Sequence, residues 1–281
     1  PRSGVVSVEV DFACEREVKG FRVLDDGGEE SPVQVDSSSE MLVTFNHPHE
    51  LPLRTRCKRW TFQMSAENIP PMGYKVFRLE PAFVAMRHPG TLRTSEMTME
   101  NEFLSVTMNG NGTFDIYDKD NKTEYRGLGV FEDSGEAGDH WNPYAPEHDR
   151  LFYSSGCAAD ISVENEGPIS VTFKASLTMD LPKGLTGDRT AREEETRPVD
   201  IDLYVTLAKG ERTVKLRTEI NNTVECHSLR MLFPTDIDTA EVAVEMPYDV
   251  VKRKIELPEC RDWREPYYPR EVQQNMVDVS D

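Results

Sequence analysis

Apolar side chains fall on every second position through most of this chain, a period that fits half-buried strands and leaves no amphipathic helix. Val6, Val8, Val10 and Phe12 share one parity, while Ser7, Glu9 and Asp11 share the other. The same alternation returns at Val171, Phe173, Ala175, Leu177 and Met179, at Ile201, Leu203, Val205 and Leu207, and at Val214, Leu216, Thr218 and Ile220. Long alternating runs of this kind predict large antiparallel sheets packed face to face, an all-β chain.

The pattern also divides the chain. Residues 1–84 read as a small β-sandwich, with a Gly-rich turn at 25–28, a short strand at 41–45, and Pro70-Pro71 at an edge or turn because proline donates nothing to a ladder. Residues 85–100 lose the alternation and read as a connecting segment. From residue 101 strands resume around hairpin-type turns at 109–112 and 119–122, where Asn and Gly tolerate positive φ. Residues 101–281 read as a large antiparallel β-sandwich. Residues 190–196, TAREEET, read as a charged loop or one turn of helix. The end is irregular and leads into a strand at 275–280 whose partner is expected beyond the chain, which reads as a piece of something longer, truncated at its C-terminus.

Charge removes several functions. The 281 residues carry 51 acidic against 32 basic side chains, a formal charge of −19. That field repels phosphate backbones, so nucleic acid is excluded as a partner, and no basic run offers a membrane surface. No apolar run approaches the ~20 residues a spanning helix needs. The five cysteines form no C-x-x-C pair and predict free thiols in a reducing cytoplasm.

Residues 132–144, EDSGEAGDHWNPY, hold the chemistry most suited to a sugar: carboxylates to accept from hydroxyls, aromatic faces to stack on a pyranose, and glycines for sharp turns. Asp133, Asp139, Trp141 and Tyr144 are the candidate substrate-binding residues. An acidic loop with an anchoring Trp is the alternative reading. His47-Pro48-His49 supplies two imidazoles where a zinc site needs more ligands. Asp118-x-Asp120 fails as a calcium loop, with Lys122 in a ligand position. His148 and His227 read as isolated, structural or solvent-facing. Trp263, Tyr267 and Tyr268 form a second aromatic cluster, an interface or a core anchor. No nucleophile elbow, phosphate loop or dinucleotide fingerprint is present.

One family gathers these elements. Asn101, Gly112-Thr113, Asp118-Lys119, Tyr125-Arg126-Gly127-Leu128 and the acidic loop 132–141 resemble the start of the large C-terminal β-domain of glycoside hydrolase family 38, the α-mannosidases. LRMLFPTDI at 229–237 resembles a further hallmark, MVDVSD at 276–281 the strand after it, and IPPMGYKVFRL at 69–79 the end of the smaller β-domain that precedes. The resemblance implies a galactose-mutarotase-like supersandwich. It also implies an α/β barrel elsewhere in the parent chain that holds the catalytic zinc, an aspartate nucleophile and an acid/base carboxylate. This chain has no His-x-Asp zinc pair, so no catalytic or metal residue is expected in it, and zinc is expected in the parent only. The resemblance makes the barrel and mannosides its partners and gives Asp139 and Trp141 the position of pocket residues, although the family often carries Tyr at the latter. An independent carbohydrate-binding module and a structural scaffold are the competing readings. A homo-oligomer is left open, since an unpaired edge strand invites association.

Overall fold

A computed structural model describes residues 1–13, 16–46, 48–86, 88–139, 141–256, 259 and 271–280. His47, His140, Trp263, Tyr267 and Tyr268 lie outside the described residues, and with them the second aromatic cluster and one histidine of the His-Pro-His pair.

The first six strands are β1 (Arg2–Phe12), β2 (Gly20–Leu24), β3 (Glu30–Ser31), β4 (Val33–Phe45), β5 (Leu53–Ile69) and β6 (Arg78–Ala82). They form two sheets, β1-β5-β4 and β3-β2-β6. Antiparallel pairing sets Val8 opposite Phe62 and Val10 opposite Trp60, so the even-numbered apolar residues of β1 and β5 share a face. That face closes on β2 and β6. Phe21, Val23, Val33, Trp60, Phe62 and Met64 are buried together, with Val8, Val10, Phe12, Phe77 and Leu79 packed on them. The Phe21 ring lies 4.6 Å from that of Phe62 and meets Trp60 edge-on at 5.5 Å.

β4 departs from the sequence expectation. The short strand at 41–45 is the end of a 13-residue strand that starts at Val33. Its middle, Ser37–Ser39, has no apolar period, but it pairs with Thr61–Arg59 of β5, past a register shift between Val35 and Ser37. Tertiary pairing overrides a weak local pattern there.

β7 (Thr98–Glu100), β8 (Leu104–Met108), β9 (Phe114–Asp118) and β10 (Thr123–Leu128) form a sheet in the order β10-β9-β8-β7. β7 thus begins inside the stretch read as a connection, and its Met99 is fully buried. Both expected turns are present. Gly112 has φ +86° in the first and Lys122 φ 56° in the second, where Asp118 accepts from the backbone N–H of Asp120 and Asn121.

β11 (Val130–Gly135) and β12 (Phe152–Tyr153) follow, then β13 (Ala159–Glu166), β14 (Ser170–Pro182), β15 (Thr196–Ala208) and β16 (Val214–Asn221), a sheet in that order. The predicted inward parity is buried on the two central strands, from Val171 to Met179 and from Ile201 to Leu207. β17 (His227–Leu232) joins β12 and β11 in the order β12-β11-β17. β18 (Glu241–Met246), β19 (Asp249–Lys254) and β20 (Val277–Asp278) form the last sheet. β20 pairs with β18 through Val277–Val244 and Asp278–Ala243, so the final strand finds its partner within the chain. The described residues hold many strands and one short 3₁₀ turn, an all-β architecture with antiparallel sheets. None of their helices is long and apolar enough to cross a membrane.

The chain forms two compact units: Pro1–Glu124, Gly156–Met179 and Asp200–Asn222 in one, Tyr125–Ser155, Asp180–Val199 and Thr223–Asp281 in the other. In the first, a buried glutamine ties the early strands to the later ones. Gln34 Oε1 accepts from the backbone N–H of Ile169 (3.0 Å) and Ser170 (2.9 Å), while its Nε2 donates to Asn165. In the second unit β11 feeds the acidic loop.

Candidate functional site

Successive residues of β11 point to opposite faces, which separates its two carboxylates. Glu132 lies in a row with its cross-strand partners Tyr153 and Arg230. Arg230 donates to Glu132, and the pair is half covered. The Tyr153 hydroxyl donates to the same carboxylate, and that bond, with burial second, holds its pKa above the usual tyrosine value.

Asp133 is 0% exposed. Its Oδ1 accepts from Arg192 Nη2 at 2.5 Å, and its Oδ2 lies 2.5 Å from His227 Nδ1. Arg192 is 3% exposed, donates from Nη1 to the backbone oxygen of Arg150, and lies over the Phe152 ring at 5.1 Å. A buried carboxylate is tolerated only when paired and hydrogen-bonded, and both oxygens here are engaged. The cluster joins β11, β17 and the segment before β15, and so fixes the base of the loop. Residues 190–196 are therefore not simply a solvated charged loop: Arg192 forms an isolated bridge with Leu185 and turns its side chain inward.

The loop is held by its own polar groups. Glu136 Oε1 accepts from the N–H of Gly138 (2.9 Å) and Tyr144 (2.7 Å). Ala137 N–H donates to the Tyr144 carbonyl at 2.7 Å. Asp139 Oδ1 accepts from the N–H of Trp141 and Asn142, both at 2.8 Å, an Asx turn. Arg189 Nη2 donates to the Ala137 carbonyl at 2.9 Å. Arg189 is itself presented by a turn in which Asp188 accepts from the hydroxyl of Thr186 and from the backbone N–H and hydroxyl of Thr190. Those bonds bring the Asp188 pKa down to about 2.

On this frame Trp141 is 88% exposed and Tyr144 60% exposed. Two large aromatic surfaces in water on a multiply bonded loop are what a stacking platform for an apolar ligand face requires. Asp139 is exposed beside them, whereas Asp133 lies inside and shapes the loop from below.

The sequence reading made His227 isolated, whereas its ring lies against Asp133; it gave Arg192 and Glu136 no role of their own. Asp133 is separated from Arg192 by 59 positions and from His227 by 94, so no local pattern could join them. Among the described residues no three His, Cys, Asp or Glu side chains gather as a metal site. A zinc ion needs such ligands gathered in one place, and the described residues do not gather them.

The family model described as "Glycosyl hydrolases family 38 C-terminal domain" matches residues 99–281. A protein of Halalkalibacterium halodurans that carries the name mannosylglycerate hydrolase is 28% identical over 194 residues, which are 63% of this chain and 21% of that protein. Among solved structures, an alpha-mannosidase from Enterococcus faecalis superposes with a TM-score of 0.87 at 22% identity, over 100% of this chain and 35% of that one. A second Enterococcus faecalis protein, in glycosyl hydrolase family 38, superposes at 0.79 with 23% identity, over 90% of this chain and 34% of its own. The chain thus spans about a fifth of the curated relative and about a third of each structure.

Proposed function

The chain belongs to glycosyl hydrolase family 38, of which it carries the C-terminal domain, and from this premise we propose that it is the non-catalytic β-region of a zinc-dependent retaining α-mannosidase. In this reading residues 101–281 are the large sandwich and 1–84 the small one before it. The nucleophile, the acid/base carboxylate and the zinc belong to a catalytic barrel of the parent chain, where hydrolysis passes through a covalent glycosyl-enzyme. This region buttresses the barrel and lends one wall to the mannoside pocket. Trp141 and Tyr144 stack on the sugar, Asp139 accepts from its hydroxyls, and Asp133 positions the loop from beneath. The observation that carries the reading is the exposure of Trp141 on a loop fixed at Glu136, Asp139 and Arg189.

The isolated chain, given zinc and an aryl α-mannoside, is expected to show no turnover; activity that survives purification would sink the assignment. In the parent enzyme Trp141→Ala is expected to raise KM about tenfold through lost stacking, and unchanged kinetics would remove the pocket role. The competing reading, an independent binding module, rests on the loop being closed by its own bonds. Calorimetric titration of the isolated chain with mannose and short mannosides separates the two, since only the module gives saturable binding that Trp141→Ala abolishes.

A further inference from the structure

We infer that Glu136 is a positioning residue of the sugar site: its carboxylate, set into the backbone ladder of loop 136–144 together with the Arg189 guanidinium, fixes how Trp141 and Tyr144 are presented. This rests on the pocket reading above. In an antiparallel pair, two facing residues exchange both N–H···O bonds. Ala137 N–H donates to the Tyr144 carbonyl at 2.7 Å, but the return bond is not made. Tyr144 N–H turns instead to Glu136 Oε1 at 2.7 Å, and the Ala137 carbonyl accepts from Arg189 Nη2 at 2.9 Å. The pattern repeats nearer the tip. Asp139 N–H donates to the Asn142 carbonyl at 3.1 Å, while Asn142 N–H donates to Asp139 Oδ1 at 2.8 Å. At both crossings a carboxylate stands in for a backbone carbonyl.

Glu136 is half-buried at the base of the loop. Its Oε1 also accepts from Gly138 N–H at 2.9 Å, so one oxygen joins both sides of the loop and both its lone pairs are engaged. Its own N–H donates to the Cys226 carbonyl at 2.9 Å, which ties the loop to the residue before β17. Gly138 leaves the loop no slack. An added Cβ there would collide with the Asn142 carbonyl and lie 2.8 Å from both Glu136 Oε1 and Tyr144 N. Arg189 holds the other half of the broken pair from a left-handed conformation, φ 60°, that the Asp188 turn maintains. Without the Glu136 carboxylate, Gly138 and Tyr144 N–H lose their acceptor. Part of the stacking energy then goes into ordering the loop each time a sugar binds.

In the intact parent enzyme Glu136→Ala is expected to raise KM for an aryl α-mannoside about tenfold with kcat within about twofold, the mark of lost uniform binding. Glu136→Gln keeps an oxygen for both N–H groups and is expected to bring KM back to within about twofold of the wild type. Amide exchange at Gly138 and Tyr144 is expected to be about tenfold faster in Glu136→Ala than in Glu136→Gln. A Gln variant as weak as the Ala variant would make the charge itself, in contact with substrate, the role of Glu136, and overturns the inference. Exchange that is equal in the two variants does the same. Trp141→Ala keeps the two readings apart. If it raises KM and Glu136→Ala does not, the positioning role alone falls; if neither moves KM, the pocket reading falls with it. One arm needs no variant: in the wild type the Tyr144 N–H is expected to exchange about tenfold more slowly than that of the exposed Ala145, and equal rates overturn the inference even if a substitution harms folding.

Discussion

Asp133 shows how a residue's role depends on what surrounds it. Its type suggests a hydroxyl acceptor in a loop. Its burial, with Arg192 on one oxygen and His227 on the other, makes it an anchor. Removing one partner of a buried pair strands the other charge, so Arg192→Leu is expected to cost about 3–5 kcal/mol in urea unfolding at neutral pH. A loss under about 1 kcal/mol would mean that water reaches Asp133. Asp188 gives a pH prediction. Its folded pKa of about 2 lies below the ordinary 3.8, so the carboxylate form is the one the turn favours. The stability it contributes is complete above the ordinary value and is lost as pH falls through about 2. A carbon-detected titration is expected to place its midpoint there, and a midpoint near 3.8 would show that the bonds from Thr186 and Thr190 do not persist in solution.

At the scale of elements, the turn between β8 and β9 is the sharpest test. Gly112 has φ +86°, and an added Cβ would meet Leu177 Cδ2 at 2.8 Å, whereas one on Gly110 meets nothing within 4 Å. Gly112→Ala is expected to destabilise the protein by about 2 kcal/mol or more and Gly110→Ala hardly at all, read from paired thermal melts. Equal effects would show that the turn relaxes without Leu177. This element was legible in the sequence, because Asn-Gly turns and period-2 strands carry their conformation locally. The span of β4 was not. Ser37–Ser39 has no period of its own, and β5 supplies the register. β7 was missed for a similar reason, since Thr98–Glu100 is too short to show alternation.

At the scale of the molecule, charge works against compactness. With a net −19, the chain repels itself when unscreened. Raising sodium chloride from about 10 mM to about 0.15 M shortens the screening length from about 30 Å to about 8 Å, and the melting temperature is expected to rise across that range. A fall would mean that ion pairs such as Arg59 with Glu9 and Asp11 outweigh the repulsion.

By itself the sequence determined the all-β class, the inward parity of β14 and β15, the positive-φ turns and, through its motifs, the family. These are properties of neighbours one to four positions apart, where sterics and hydrophobic period act directly. Only the tertiary structure decided that Asp133 is an internal anchor, that Arg192 leaves a charged segment to meet it, and that Trp141 and Tyr144 stand in water. Burial and charge pairing arise between residues far apart along the chain, and no local period encodes which of 51 acids will meet which base.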